Sequence, residues 1–410
     1  MRPYARLMRE DNQETRGTEP DQNPANPLSD REDLPEVAEP PTSNAVATPP
    51  TPGGPPDDFR WPLPADLEPS GPDIRQGLVA WFGILLAAGG IGLVFGMQEM
   101  AALAALGGLF VAAQAADLSP RWDALYYLTS WVVPVGGAVL SVTVGIEVLH
   151  SGAQGALQLA LVSLAFAAAG ASVLFLVRPL SNNLVAVLMQ PPVPSHTLRL
   201  TARMIAIGFL LAVPGWFAVR SVFGETLEDT GPLLEQASLS GQLIGYFILA
   251  LASVGFMLRR SFRETLDRLG LKPITGSHLA IIAIGVMGLY GLNAGADWIQ
   301  QTIFPNMWES DHRVNEAIAS GLGAPQVLLL GLSAGFGEEI TMRGALQPKL
   351  GLIKTSLLFA GLHVQYSWFG MVVVFLLGIL VGTIRNRTST SAAVAVHMIY
   401  DVLAVFSVAR

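Results

Sequence analysis

The sequence predicts an all-α protein, a polytopic transmembrane helix bundle of about eleven spans, in a range of nine to eleven, behind a disordered N-terminal tail. Three observations predict it. Hydrophobic residues make up 51% of the 410 and charged residues only 14%, a balance foreign to ordinary soluble domains. Apolar stretches close to the roughly 20 residues needed to cross a hydrocarbon core recur along the chain. Lys and Arg gather in alternate connections between those stretches.

The tail comes first. Residues 1–75 hold fifteen Asp and Glu against seven Arg, so they carry the whole net charge of -8, and they hold sixteen of the 28 prolines. Such a segment buries too little apolar surface to offset its ordering entropy, so it is expected to be disordered. No apolar core follows Arg2, Arg6 and Arg9, so the segment is not a secretory signal, and the first span is expected to act as its own insertion signal.

The spans follow in order: Gly77–Met97, Met100–Ala116, Tyr126–Leu149, Ala153–Val177, Thr201–Val219, Ala237–Leu258 and His278–Ile299, then Pro325–Gln347, Thr355–Phe369, Gly370–Ile384 and Ala392–Val408. The second, ninth and tenth are short, which suits tilted or re-entrant segments. Residues 76–258 form a six-span region with no assigned role, and 269–410 a second membrane domain. One set of connections holds thirteen basic residues: Arg121; Arg178, Arg199, Arg203; Arg259, Arg260, Arg263, Arg268, Lys272; Lys349, Lys354; and Arg385, Arg387. The other set holds three, Arg220, Arg313 and Arg410. Positive-inside charge therefore predicts a cytoplasmic N-terminus, an outside C-terminus, and outward-facing acidic loops at 225–235 and 309–316. Glycines one turn apart, Gly92/Gly96, Gly331/Gly335 and Gly378/Gly382, predict close helix contacts.

Ionisable groups at membrane depth are costly and call for a partner or a task. They concentrate in the last third: Glu338, Glu339 and Arg343 in one span, His363 in the next, His397 and Asp401 in the last. Counting 1.5 Å per residue from the basic ends, Glu338 and Glu339 lie roughly 14 to 15 Å deep, His363 about 12 Å, and His397 and Asp401 about 8 to 14 Å. Three helices thus present polar groups at one level, which predicts a shared site, open to the cytoplasmic side. Glu339 and Arg343, four residues apart, are expected to pair, leaving Glu338, about 100° round the helix, as the carboxylate free to take a proton. Asp401, one turn from His397, is placed to orient the imidazole or to share a metal with it. His150, His196, His278 and His312 fall at span ends, where solvation accounts for them, and Glu147, Asn293 and Asp297 are expected to be structural. The chain has no cysteine, which excludes thiolate chemistry and disulfides. Glu338, His363 and His397 would serve as a zinc set, but the sequence leaves the cofactor open, with metal-free glutamate chemistry slightly favoured.

Glu-Glu-x-x-x-Arg at 338–343, Phe-x-x-x-His at 359–363 and His-x-x-x-Asp at 397–401 together resemble the CAAX protease and bacteriocin-processing family of intramembrane proteases. Leu269-Gly270-Leu271 resembles the start of that domain, so the likeness runs over about 269–405. It implies hydrolysis of a peptide bond near the cytoplasmic membrane face, with water activated by Glu338 and His363 and the oxyanion or bound water stabilised by His397 and Asp401. Many relatives carry Asn where this chain has Asp401, and Asn can donate a hydrogen bond that an ionised Asp cannot. The partners implied are the bilayer and a membrane-associated peptide or protein, not nucleic acid. Ala/Gly-rich spans without eukaryotic sorting signals suggest a bacterial inner membrane. The competing readings are a serine protease using Ser333 in Gly331-Leu332-Ser333-Ala334, a presenilin-like aspartyl protease, a proton-coupled transporter, and a silent scaffold or immunity protein.

Overall fold

The computed structural model describes residues 73–408, apart from 152–153, 191 and 227–235. The tail expected to be disordered lies outside the described residues up to position 72, as does most of the acidic loop at 225–235. Asp73 caps the first helix, α1 (Ile74–Val94), by accepting from the Arg75 amide at 3.2 Å. Arg75 itself is already helical.

The six-span region contains α2 (Gln98–Leu118), α3 (Asp123–Ser130), α4 (Val132–His150), α5 (Gly155–Leu174), α6 (Arg178–Leu188), α7 (His196–Thr226) and α8 (Gln236–Val254). The long ones, such as α2, α4 and α5, are apolar all round because both faces are dry: one meets other helices, the other meets lipid. On α1, Trp81 and Ala88 are buried while Val79, Phe82, Leu86 and Leu93 are exposed. A short helix, α9 (Phe262–Leu269), opens with a reciprocal Ser261/Glu264 capping box and ends at Gly270, whose φ of 72° suits a residue without Cβ. The Thr390 amide donates to the Gly270 carbonyl at 3.0 Å, tying this corner to the last helix.

The second region comprises α10 (Gly276–Ile303), α11 (Pro305–Ala319), α12 (Ala324–Leu332), α13 (Gln347–Leu350), α14 (Leu352–Gly361), α15 (Trp368–Arg387) and α16 (Thr390–Val408). Between α12 and α13 the chain stays helical but widens to π geometry over Ser333–Glu338 and Ile340–Leu346. No strand occurs among the described residues beyond one isolated bridge, Phe256 to Arg260.

Eight of the described helices are long and apolar enough to cross a membrane, or nine if α11 and the 324–350 helix, bent by 112°, count as one span. The remaining expected segments are shorter apolar helices, Ser238–Val254 and Leu352–Gly361. The second of these explains the short ninth segment. Ten helical residues rise only about 15 Å, and residues 362–367 complete the passage as irregular backbone. Such backbone is tolerated at membrane depth where it is packed in protein or lines a cavity, and this piece does both.

The basic connections gather at one end of the bundle. Arg259 pairs with Asp117 at the end of α2, Lys354 donates to the Val187 carbonyl, and Arg268 donates to the Gly344 and Ala345 carbonyls. Three sequence expectations change here. His196 is not a solvated span-end histidine; it is buried, with Nδ1 3.0 Å from Asp117, whose carboxylate also caps the start of α7. The acidic loop at 309–316 is part of a helix, α11. Gly96 makes no close contact, and its φ of 71° marks a turn, whereas Gly92 approaches the Met97 carbonyl.

Candidate active site

Glu339 is the centre of the polar cluster and is fully buried. Its Oε2 accepts from Arg343 Nε at 3.1 Å, across one turn of the widened helix, and its Oε1 accepts from His397 Nδ1 at 3.0 Å on α16. The Arg343 guanidinium, also fully buried, lies over the Phe359 ring at 5.1 Å, a favourable position for a cation. His397 Nε2 in turn lies 3.4 Å from Asp401 Oδ2. The imidazole is thus held between two carboxylates, and the expected Glu339–Arg343 pair is present.

Why α16 comes so close is a matter of two missing side chains. A Cβ at Gly335 would stand 2.5 Å from the Met398 backbone nitrogen, and one at Gly331 would stand 2.5 Å from Val402 Cγ2. Glycine at both positions lets α16 lie against the π-helix, and that contact puts His397 within reach of Glu339. The sequence read these glycines as packing, and they are; the packing assembles the site.

His363 follows the last turn of α14. Its Nδ1 donates to the Phe359 carbonyl at 2.8 Å, satisfying a helix-end acceptor and leaving Nε2 with a lone pair. The ring packs against Phe359 and stacks on Tyr366. The irregular stretch is pinned from three helices. Trp216 donates to the Tyr366 carbonyl at 2.8 Å, Tyr366 donates to Asn315 at 2.9 Å, and buried Asp311 accepts from the Ser367 amide and hydroxyl, each at 2.6 Å, and from Gln300 at 2.7 Å.

Glu338, Glu339, Arg343, His363, His397 and Asp401 all line one cavity of about 700 Å³. From the carboxylates it extends along the second half of α10, past Leu289, Asn293 and Asp297, to Trp308 and His312 of α11. That is the end away from the basic connections. Toward the basic side Arg343, Ile340, Leu350 and Gln347 are each at most 2% exposed. The lining residues thus run further toward the end opposite the one at which the opening was expected.

The zinc set does not fit this geometry. Both ring nitrogens of His397 face carboxylates, and among the described residues no three His, Asp or Glu side chains, Glu338, His363 and His397 included, are placed to share an ion. Ser333 is fully buried and donates to Gln242 at 2.9 Å, so it faces α8 and not an imidazole. Sequence reasoning missed Asp311, Gln300 and Ser367, ordinary polar residues at span ends, and Gln242 and Tyr246 on α8, which belong to the other region. It also set Asn293 and Asp297 aside as structural, yet both line the cavity.

Residues 320–403 match the family described as type II CAAX prenyl endopeptidase Rce1-like. An uncharacterized protein, YpbD of Bacillus subtilis (strain 168), is 30% identical over 163 residues, which cover 39% of this chain and 82% of YpbD. No solved structure matches the chain at a significant level.

Proposed function

This chain belongs to the Rce1-like family of type II CAAX prenyl endopeptidases, and on that premise we propose that it is an intramembrane endopeptidase hydrolysing a peptide bond at the 338/363/397 cluster. The observation that carries the reading is the convergence of Glu338 and Glu339 of the π-helix, His363 just past α14 and His397 of α16 on one cavity. Glu338 and the free Nε2 of His363 take a proton from water, which attacks the scissile carbonyl. The Nδ1–H of His397 is taken by Glu339, and its Nε2–H, 3.4 Å from Asp401 Oδ2 and not hydrogen-bonded to it, turns to the developing oxyanion. Asp401 serves by orienting the imidazole, a role that needs no donor of its own. Arg343 holds Glu339 in place.

The substrate is a membrane-associated peptide or protein that enters along α10 and α11. With the basic end cytoplasmic, as positive-inside charge predicts, this entrance lies in the outer half of the bilayer. The protein resides in a bacterial inner membrane. Purified wild-type protein in lipid nanodiscs should cleave a membrane-anchored reporter peptide, while Glu338→Gln and His363→Ala, folded equally well, should not. Equal cleavage by all three, or by none, refutes the reading, and the second result favours a silent scaffold.

A further inference from the structure

A second, smaller space adjoins the large cavity and shares Gln242, Glu338, Phe359, His363 and Gln365 with it. It measures about 180 Å³ and lies between α8 and α14, walled by Gln242 and Tyr246 on one side and by Glu338 and His363 on the other. Of the six candidate site residues, only Glu338 and His363 border both cavities; Glu339, Arg343, His397 and Asp401 border the large one alone. The two spaces also differ in chemistry. The large cavity mixes an aliphatic wall, chiefly Val373, Val374, Leu377 and Val381 of α15, with polar residues of α10 and α11, and its lining surface is apolar on balance. The small one gathers two amides, a phenol, a carboxyl group and an imidazole around a volume well above the ~15 Å³ that one water needs.

We infer that this small cavity is the site of the hydrolytic water, held by Gln242 and Tyr246 of α8 and passed to Glu338 and His363 while substrate occupies the large cavity. The inference rests on the protease reading above and adds two positioning residues from the six-span region, outside residues 320–403 that match the family. An enzyme in lipid must bring water to a dry bond without opening the substrate side. A polar chamber beside the base does this, because Tyr246 and Met342 wall it off from the large cavity that the substrate would fill.

The local packing fixes the chamber. Gln242 accepts from Ser333 Oγ at 2.9 Å through its carbonyl oxygen, and its amide group, which also hydrogen-bonds the Tyr246 side chain, keeps a further N–H to donate. Tyr246 lies on Gly337, the residue before Glu338, where a Cβ would come within 2.9 Å of Tyr246 Cδ2. Thr341 Oγ1 lies 3.0 Å from the Gly337 carbonyl and 3.4 Å from the Tyr246 carbonyl, and the second contact ties the π-helix to α8. In the hydrolytic step the water oxygen bonds to the carbonyl carbon, its proton goes to Glu338, and collapse breaks the C–N bond as that proton reaches the leaving amine.

The test uses full-length protein in nanodiscs with the anchored reporter. Tyr246→Phe and Gln242→Met, which keep shape and lose donors, should each lower kcat about tenfold, the weight of one positioning hydrogen bond, with KM unchanged. Met342→Phe, which fills the chamber, should lower kcat at least as far. Hydroxyl-radical footprinting of the wild-type protein should label Tyr246 and Met342 through bound water. Full kcat in both conservative variants while Glu338→Gln is inactive overturns the water site alone. A rise in KM at constant kcat, or no labelling of Tyr246 and Met342, does the same. Full activity of Glu338→Gln overturns both readings.

Discussion

Replacing Arg343 with Met should be among the most damaging single changes in this protein. Arg343 and Glu339 are each 0% exposed, and their 3.1 Å contact is the one charge-to-charge bond that Glu339 has besides His397 at 3.0 Å. Removing one partner of a buried pair typically costs about 3–5 kcal/mol, because the other charge is left without compensation. His397 still holds one oxygen, which places the expected loss near the lower end, about 3 kcal/mol. The stacking on Phe359 at 5.1 Å adds up to about 2 kcal/mol for a desolvated cation. Removing both charges should be milder. The double variant Arg343→Met with Glu339→Gln is expected to recover about 2 kcal/mol relative to the sum of the singles, since neither isolated charge remains. Equilibrium unfolding in mixed detergent and SDS micelles, followed by tryptophan fluorescence, measures all four corners of this cycle. An Arg343→Met protein within about 1 kcal/mol of wild type, or strict additivity, would refute the description of Glu339 as a carboxylate dependent on its guanidinium.

Three further outcomes follow from the geometry. Gly335→Ala drives a methyl group to 2.5 Å from the Met398 nitrogen, a backbone atom that cannot swing aside, so α16 must shift and carry His397 away. Reporter cleavage should be lost, whereas Gly276→Ala, with nothing within 4 Å, should be neutral in the same assay. Asp311→Asn removes a carboxylate that holds the Ser367 amide at 2.6 Å, loosening the stretch that carries His363. The expected result is a fall in kcat with little change in KM, reproduced by Gly370→Ala, whose Cβ would stand 2.7 Å from Asp311 Oδ2. The absence of cysteine makes single-cysteine labelling clean. In intact cells Arg385→Cys should resist an impermeant maleimide and His312→Cys should react, and the reverse pattern would put the substrate entrance on the cytoplasmic side.

What the sequence made legible was set by the solvent. A bilayer demands long apolar helices, so each expected segment holds a helix, although only eight or nine are long enough to cross, and the cost of burying charge pointed to Glu338, Glu339, His363 and His397. The i, i+4 pairing of Glu339 with Arg343 follows from helix geometry and survives the local widening to a π-helix. Other features depend on partners distant in sequence. Nothing local in Thr355–Phe369 says that the helix stops at Gly361 and that Asp311, Gln300 and Trp216 hold the rest. Asp311 sits among Glu309, Asp311 and Glu316, a pattern that reads as a solvated acidic loop, and only the fold reveals it as buried. The extent of the cavity along α10 and α11 had no local signal either, because charge in the connections reports how the chain inserts and not which side chains leave space between helices.

The claim on which the whole account depends is that Glu338 passes the proton of the attacking water. Single-turnover cleavage of the anchored reporter in ¹⁸O-labelled water, followed by mass spectrometry of the new C-terminus, addresses it directly. The account predicts one ¹⁸O atom in the product of the wild-type protein and a rate for Glu338→Gln slower by at least about a hundredfold, the usual weight of a general base. A Glu338→Gln protein that forms labelled product at the wild-type rate would contradict it.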